Sequence, residues 1–195
     1  MQKNLFNLPM TAVVIMVTSG LAHASSANLD ANLTATIVDT TCEMKLVGGT
    51  GDNTKQTATV SVPGRSNPWI PLADGQAGKA KVEFKLAIVE CPPSLTSLKA
   101  TIKGTPSGLS PTGLTNQIAK TDGGADYAAL EIARTTATAN PFTINSEVDA
   151  QRLVWTKTEI DQKEVSLVAT LRETKAGAMT IGKFKTIATF EFSYE

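Results

Sequence analysis

Histidine is almost missing from this chain: His23 is the only one in 195 residues. It falls in a stretch that reads as a removable leader, so the mature protein has none. That absence excludes Ser-His-Asp and Cys-His nucleophilic catalysis. It also excludes His-containing zinc and copper sites. Cysteine is scarce, at two residues, and aromatics make up only 5%. No excess of charge exists either, since 18 basic side chains oppose 18 acidic ones. A near-neutral, mixed surface offers no footprint for nucleic acid or for an anionic membrane surface.

What is present starts with an address label. Lys3 is followed by an apolar run from Thr11 to Ala22, and Ala22-His23-Ala24 fits a small-x-small cleavage site. The run is too short for a transmembrane helix; an N-terminal anchor is the alternative. Residues 1–24 are therefore expected to be a signal peptide, and the mature chain to run from Ser25 to Glu195, 171 residues. That length suits one domain with a sizeable core. In an exported chain the pair Cys42 and Cys91 reads as a disulfide, with two free buried thiols as the alternative.

The mature chain reads as β throughout. Alternating or apolar runs appear at Leu29–Val38, Cys42–Val47, Thr57–Val62, Lys81–Cys91 and Leu98–Lys103. Others follow at Tyr127–Arg134, Gln151–Thr156, Glu164–Arg172 and Lys183–Tyr194. Gly, Pro and Asn punctuate them at the intervals of a β-sandwich. The stretch Leu114–Leu130 is the exception, with room for a helical turn around Gly123-Gly124. Successive strand side chains point to opposite faces. Val82, Phe84, Leu86 and Ile88 therefore share one face. So do Val165, Leu167, Ala169 and Leu171. At the C-terminus Phe184, Thr186, Ala188, Phe190, Phe192 and Tyr194 line up likewise.

The N-terminal run is odd in its position. Leu29, Ala31, Leu33, Ala35 and Ile37 form an apolar face, and Asp30, Asn32, Thr34 and Thr36 a polar one. Such a well-patterned strand is unexpected at a terminus, where chains usually fray. Periodicity alone reads it as the first strand of its own sandwich.

Candidate chemistry is thin. Trp69, in Asn67-Pro68-Trp69-Ile70-Pro71, either caps the core or is a loop aromatic able to stack on a sugar. Trp155 sits in an apolar run and reads as core. Glu131, Asp149 and Glu159 are carboxylates with no spacing that links them. Gly48-Gly49-Thr50-Gly51 lacks the Lys and setting of a phosphate loop and reads as a turn. Asp122-Gly123-Gly124 lacks calcium-loop spacing. No catalytic residue, metal site or cofactor is expected.

With these residues in hand, the mature chain resembles subunits of chaperone–usher pili, in particular the type 1-like fimbrial proteins. The resemblance rests on the N-terminal run leading into Thr40-Thr41-Cys42, on Phe84-Lys85-Leu86-Ala87-Ile88-Val89-Glu90-Cys91, and on Leu153-Val154-Trp155-Thr156. It is most specific in Thr186-Ile187-Ala188-Thr189-Phe190-Glu191-Phe192-Ser193-Tyr194-Glu195, with Tyr194 penultimate and Gly182 fourteenth from the end. It implies an incomplete immunoglobulin-like β-sandwich lacking its last strand and completed by a donated one. Residues 25–38 would be the donor extension, with Leu29, Ala31, Leu33, Ala35 and Ile37 entering a neighbour's groove. Residues 39–195 would be the pilin domain. Gly182, Phe184, Ala188, Phe190, Phe192 and Tyr194 would line the groove and bind a chaperone.

The implied partners are a periplasmic chaperone, an outer-membrane usher and neighbouring pilus subunits, with a host glycan or receptor reached through the assembled pilus. The implied route is through the periplasm to a fimbrium on the cell surface. Many family members carry Gly where this chain has Ala35, which adds one methyl group at a close approach. The chain is too short for an extra receptor-binding domain, which disfavours a tip adhesin. Shaft, adaptor and terminating roles stay open. A glycan-binding module and an exported enzyme are the competing functions. In isolation, the resemblance predicts a groove left open or an N-terminal run detached from the sandwich.

Overall fold

The computed structural model describes residues 28–38, 42–67 and 69–194. The expected signal peptide, residues 1–24, and residues 25–27 of the expected donor extension lie outside the described residues, as do residues 39–41, Pro68 and Glu195. Among the described residues thirteen strands appear in chain order: β1 (Asn28–Val38), β2 (Glu43–Val47), β3 (Thr50–Gly51), β4 (Lys55–Val60), β5 (Ile70–Pro71), β6 (Lys81–Glu90) and β7 (Leu98–Lys103). Then come β8 (Pro106–Ser107), β9 (Ser110–Thr115), β10 (Ala128–Arg134), β11 (Leu153–Val154), β12 (Glu164–Glu173) and β13 (Gly182–Tyr194). Two short helices, α1 (Leu72–Gln76) and α2 (Lys157–Gln162), interrupt them.

The strands form two sheets, the all-β sandwich expected from the sequence. One sheet has the order β11-β7-β13-β1-β4-β3, with β5 also paired to β1; the other has the order β2-β6-β12-β10-β9-β8. Their inner faces supply one continuous core, which joins Leu33, Val60 and Phe190 of the first sheet to Leu86, Leu130 and Leu167 of the second. The rings of Phe84 and Phe190 bridge the sheets, 5.9 Å apart. The alternations place the inward residues: Phe84, Leu86 and Ile88 of β6 are buried, as are Val165, Leu167, Ala169 and Leu171 of β12.

The cysteines form a disulfide, Cys42–Cys91, closing a separation of 49 residues. It joins the residue before β2 to the residue after β6, two strands paired in the same sheet. The helical turn expected near Gly123-Gly124 is a 3-10 turn at Lys120–Asp122, ended by Gly123 in the left-handed region. The sequence Thr156-Lys157-Thr158-Glu159 is a capping box: Glu159 N–H donates to the Thr156 hydroxyl, and Thr156 N–H donates to the Glu159 carboxylate.

Replacing Cys42 by Ser is expected to lower the unfolding free energy by about 2–5 kcal/mol. Urea denaturation of the oxidised wild type beside the variant measures this, and coincident curves would show the bond to be dispensable.

Candidate functional site

The site is a slot in the first sheet, and β1 fills it. On one side β13 runs parallel to β1, pairing Leu29 with Gly182 and continuing to Val38 with Glu191. On the other side β4 runs antiparallel, pairing Ala31 through Thr36 with Val60 through Lys55. Beyond the end of β4, β5 continues that wall and pairs Leu29 with Ile70. Threonine, isoleucine and valine suit the pleated, half-buried backbone that this position demands.

All five side chains expected on the apolar face of the N-terminal run point into the core. Leu29, Ala31 and Leu33 are 0% exposed, Ala35 is 5% and Ile37 is 7%. The outward residues differ: Asp30 is exposed, and Asn32, Thr34 and Thr36 are half-buried. A slip of one residue would drive these four into the core, so odd registers are excluded.

The expectation of an open groove or a detached extension is therefore corrected. The slot is occupied in cis by the chain's own N-terminal strand. The physical reason is local. An empty slot would leave two strand edges unpaired and an apolar floor wet. A strand tethered three residues before Cys42 is present at high effective concentration.

The residues expected to line the groove fall into two groups. Gly182, Phe184, Ala188 and Phe190 sit directly beside Leu29, Ala31, Ala35 and Ile37. Phe192 and Tyr194 lie past the end of β1 and pair instead with Ala100 and Leu98 of β7. Their rings stack at 6.4 Å.

Gly182 has a specific task. Its φ is +150°, and a Cβ there would lie 2.6 Å from Ala125 N and 2.7 Å from Gly123 O. Such contact is needed because β13 is pinned where it begins. Lys183 N–H donates to Gly123 O, and Ala125 N–H donates to Lys183 O. The Asn116 side chain ties the same place together, donating to Ala125 O and Lys183 O and accepting from Lys185 N–H.

Sequence reasoning missed the second wall. Ile70, Ala58 and Val60 close the slot opposite β13, and all three are buried. The run at Thr57–Val62 signalled a strand, but nothing in it signalled which neighbour it would take. Thr186, read on the inward face but not as a slot residue, is 1% exposed and sits beside Leu33.

Other candidates resolve simply. Trp69 does not cap the core: it is 52% exposed in the loop before β5, where its backbone N–H donates to Asn67 Oδ1. Trp155 is buried, as read. The three carboxylates stand apart in separate structural roles. Glu131 accepts from the Thr112 hydroxyl. Asp149 pairs with Arg152 and Lys99, and its hydrogen bonds from Arg152, then Lys99, lower its pKa. Glu159 caps α2 and holds Arg134 at 2.8 Å. Burial pushes its pKa up, but the Arg134 guanidinium and the Thr156 N–H outweigh that and leave it lowered. These shifts are opposite to those of a general acid. Among the described residues no three His, Cys, Asp or Glu side chains gather as a metal site. No helix among them is long and apolar enough to cross a membrane.

A family model described as "Fimbrial protein" matches residues 31–195. An uncharacterised fimbrial-like protein of Escherichia coli K12, YadM, is 25% identical over 189 residues, covering 96% of this chain and 97% of that protein. The crystal structure of the P pilus rod subunit PapA aligns with a TM-score of 0.49 and 17% identity, over 82% of this chain and 96% of that one.

Three substitutions probe the slot. Leu33→Ala is expected to cost about 2–5 kcal/mol, whereas Thr34→Ala, one residue away on the outward face, stays within about 0.5 kcal/mol. Equal effects in chemical denaturation would contradict the burial. Gly182→Ala is expected to lower the melting temperature, because the methyl group meets backbone atoms that cannot move aside; an unchanged melt would contradict that crowding.

Proposed function

The chain belongs to the fimbrial protein family, and from that premise we propose that it polymerises by exchanging β1 between subunits. It is a structural subunit of a fimbrium, not an enzyme. Its partners include other pilus subunits, and its place is a surface fimbrium. In the proposed reaction β1 leaves its own slot and enters the slot of the next subunit. Residues 25–38 are the donor extension, and residues 39–195 the acceptor domain. Such an exchange is head-to-tail, and a head-to-tail contact that does not close builds a fibre. Main-chain pairing supplies affinity, and the alternate side chains supply specificity.

The observation that carries this reading is β1 itself. With the expected leader removed it is terminal and tethered at one end only. It fills a slot walled on both sides by the rest of the chain. Its five buried side chains would otherwise sit in water, and each large one contributes about 1.5–3 kcal/mol on burial. A periplasmic chaperone would lend a strand to the same slot before β1 or a neighbour's β1 fills it, and an outer-membrane usher would be where the exchange occurs. The adaptor or shaft position follows from which neighbour's slot β1 enters. A role in glycan binding has one observation in its favour, the exposure of Trp69. A glycan array probed with the monomer and with Trp69→Ala tests it, and absence of signal for both removes it.

The full chain is expected to be soluble alone as a monomer, whereas a chain lacking residues 25–38 is recovered only with the chaperone or with an added 28–38 peptide. Mild unfolding and refolding of the full chain at high concentration should give a ladder of oligomers. The truncated chain should cap such a ladder as acceptor but never extend it. A truncated chain that stays soluble without any partner, together with a full chain that never oligomerises, would overturn the proposal. Phe192→Asp is expected to weaken chaperone co-purification.

A further inference from the structure

A cavity of about 320 Å³ lies in the second sheet's half of the molecule, beside β9 and β10. That volume is at the small end of the range for ligand sites, about 300–1,000 Å³. Its walls come from the turn between β8 and β9, the stretch after β9, the entry to β10, and Thr174 after β12. No residue of β1 lines it. The walls are tied in place by the chain itself. Ile118 N–H donates to Asn116 Oδ1, and Gly124 N–H donates to Ala119 O. Asn116 is the same residue that holds the start of β13.

Tyr127 is the exceptional residue of this lining. Its φ is +53°, in the left-handed region that a bulky side chain occupies only at a cost. Three hydrogen bonds hold it there. Tyr127 N–H donates to Asp126 Oδ1 at 2.9 Å, and Asp126 N–H donates to the Thr180 hydroxyl at 2.8 Å. Thr174 N–H donates to Tyr127 O at 2.9 Å. The half-buried ring of Tyr127 and the neighbouring Asp126 carboxylate line the one cavity. Lys175 Nζ stands 5.5 Å from the ring centroid, so the ring already acts as an electron-rich platform. Asp126 Oδ2 lies 3.4 Å from Lys120 Nζ. An acceptor and a donor thus stand side by side, and each can serve further partners. The hydroxyls of Tyr127, Thr115 and Thr174 have no partner among the described residues. Leu109, 60% exposed, adds an apolar edge.

The geometry points to this cavity as a binding site for a neutral pyranose, a single hexose ring. Two adjacent ring hydroxyls, one donating and one accepting, match the Asp126 carboxylate beside the Lys120 ammonium. The C–H face of such a ring carries partial positive charge and meets the negative face of an aromatic ring. The three free hydroxyls take up the sugar's remaining polar groups. A charged ligand fits less well, because Asp126 and Lys120 already neutralise each other. An apolar one would leave these groups without partners and out of water. The site rests neither on strand exchange nor on Trp69, which is not part of the lining.

The test is an amide-shift titration of the full chain with the methyl glycosides of glucose, galactose and mannose, and with sorbitol. At least one glycoside is expected to shift amides within residues 107–109, 115–120 and 125–128, with a Kd of about 10 mM or tighter. Sorbitol has the hydroxyls but no ring face, and is expected to bind clearly more weakly. Asp126→Asn keeps an oxygen for Tyr127 N–H and is expected to weaken binding about tenfold or more. Lys120→Gln changes an exposed side chain that the fold does not need, and is expected to weaken it about two- to tenfold. Trp69→Ala is expected to bind as the wild type does. No shift with any glycoside, shifts mapping elsewhere, equal binding of sorbitol, or undiminished binding by both Asp126→Asn and Lys120→Gln would overturn the inference. Loss of binding in Trp69→Ala would move the site and overturn it too. Rings of this kind occur in host glycans and in a cell's own surface polysaccharides; arrays of each, probed with the wild type and Lys120→Gln, show which supplies the ligand.

Discussion

The pairing of β1 with both β13 and the β4–β5 wall is the interaction on which the rest of the sandwich depends. Without β1, the first sheet splits. On one side β11, β7 and β13 would remain, on the other β4 and β3, and β5 would lose its pairing with β1. The inner face would lose Leu29, Leu33 and Ile37 from a core that the second sheet alone cannot close. A strand at a terminus normally contributes little. Here it sits at the centre of its sheet, held by main-chain partners on two sides.

That position is what the proposed exchange requires of an element that is also structural. A central strand in the middle of a chain cannot leave without unfolding its neighbours. A strand left terminal by removal of the expected leader could, because only the stretch before Cys42 would tether it. The disulfide to Cys91 lies at that tether and fastens β2 to β6, so the second sheet stays anchored where β1 departs. At the other end of the slot Gly182, Asn116 and the backbone at 123–125 fix the start of β13. In the proposed exchange the slot is the fixed receptacle and the strand the part that moves.

Much of this was legible in the residues. Period-two alternation in Leu29–Ile37 and in Phe184–Phe192 assigned every inward side chain, because polarity and pleat leave one choice. The cysteine pair and the leader together indicated the disulfide. The C-terminal alternation with Gly182 marked the slot's first wall. Pairing partners were not legible, since alternation says which face is buried and not which strand lies alongside. Hence Ile70, Ala58 and Val60 went unnoticed as a wall. Occupancy was not legible either: the same pattern serves a strand that stays home and one that is given away. The helix α2 could have been found, since its capping box stands in the sequence at Thr156 and Glu159. Trp69 could not, because nothing in its flanking prolines says whether the indole faces core or solvent.

Amide hydrogen exchange on the isolated full chain tests the central claim most directly. If β1 completes the sheet in cis, amides of residues 29–38 are protected like those of β13. In that case a chain without residues 25–38 exchanges quickly along β13 and β4 until a 28–38 peptide is added. If residues 29–38 instead exchange like free chain, and their removal leaves β13 and β4 unchanged, β1 is not the strand that completes the sandwich and the account fails.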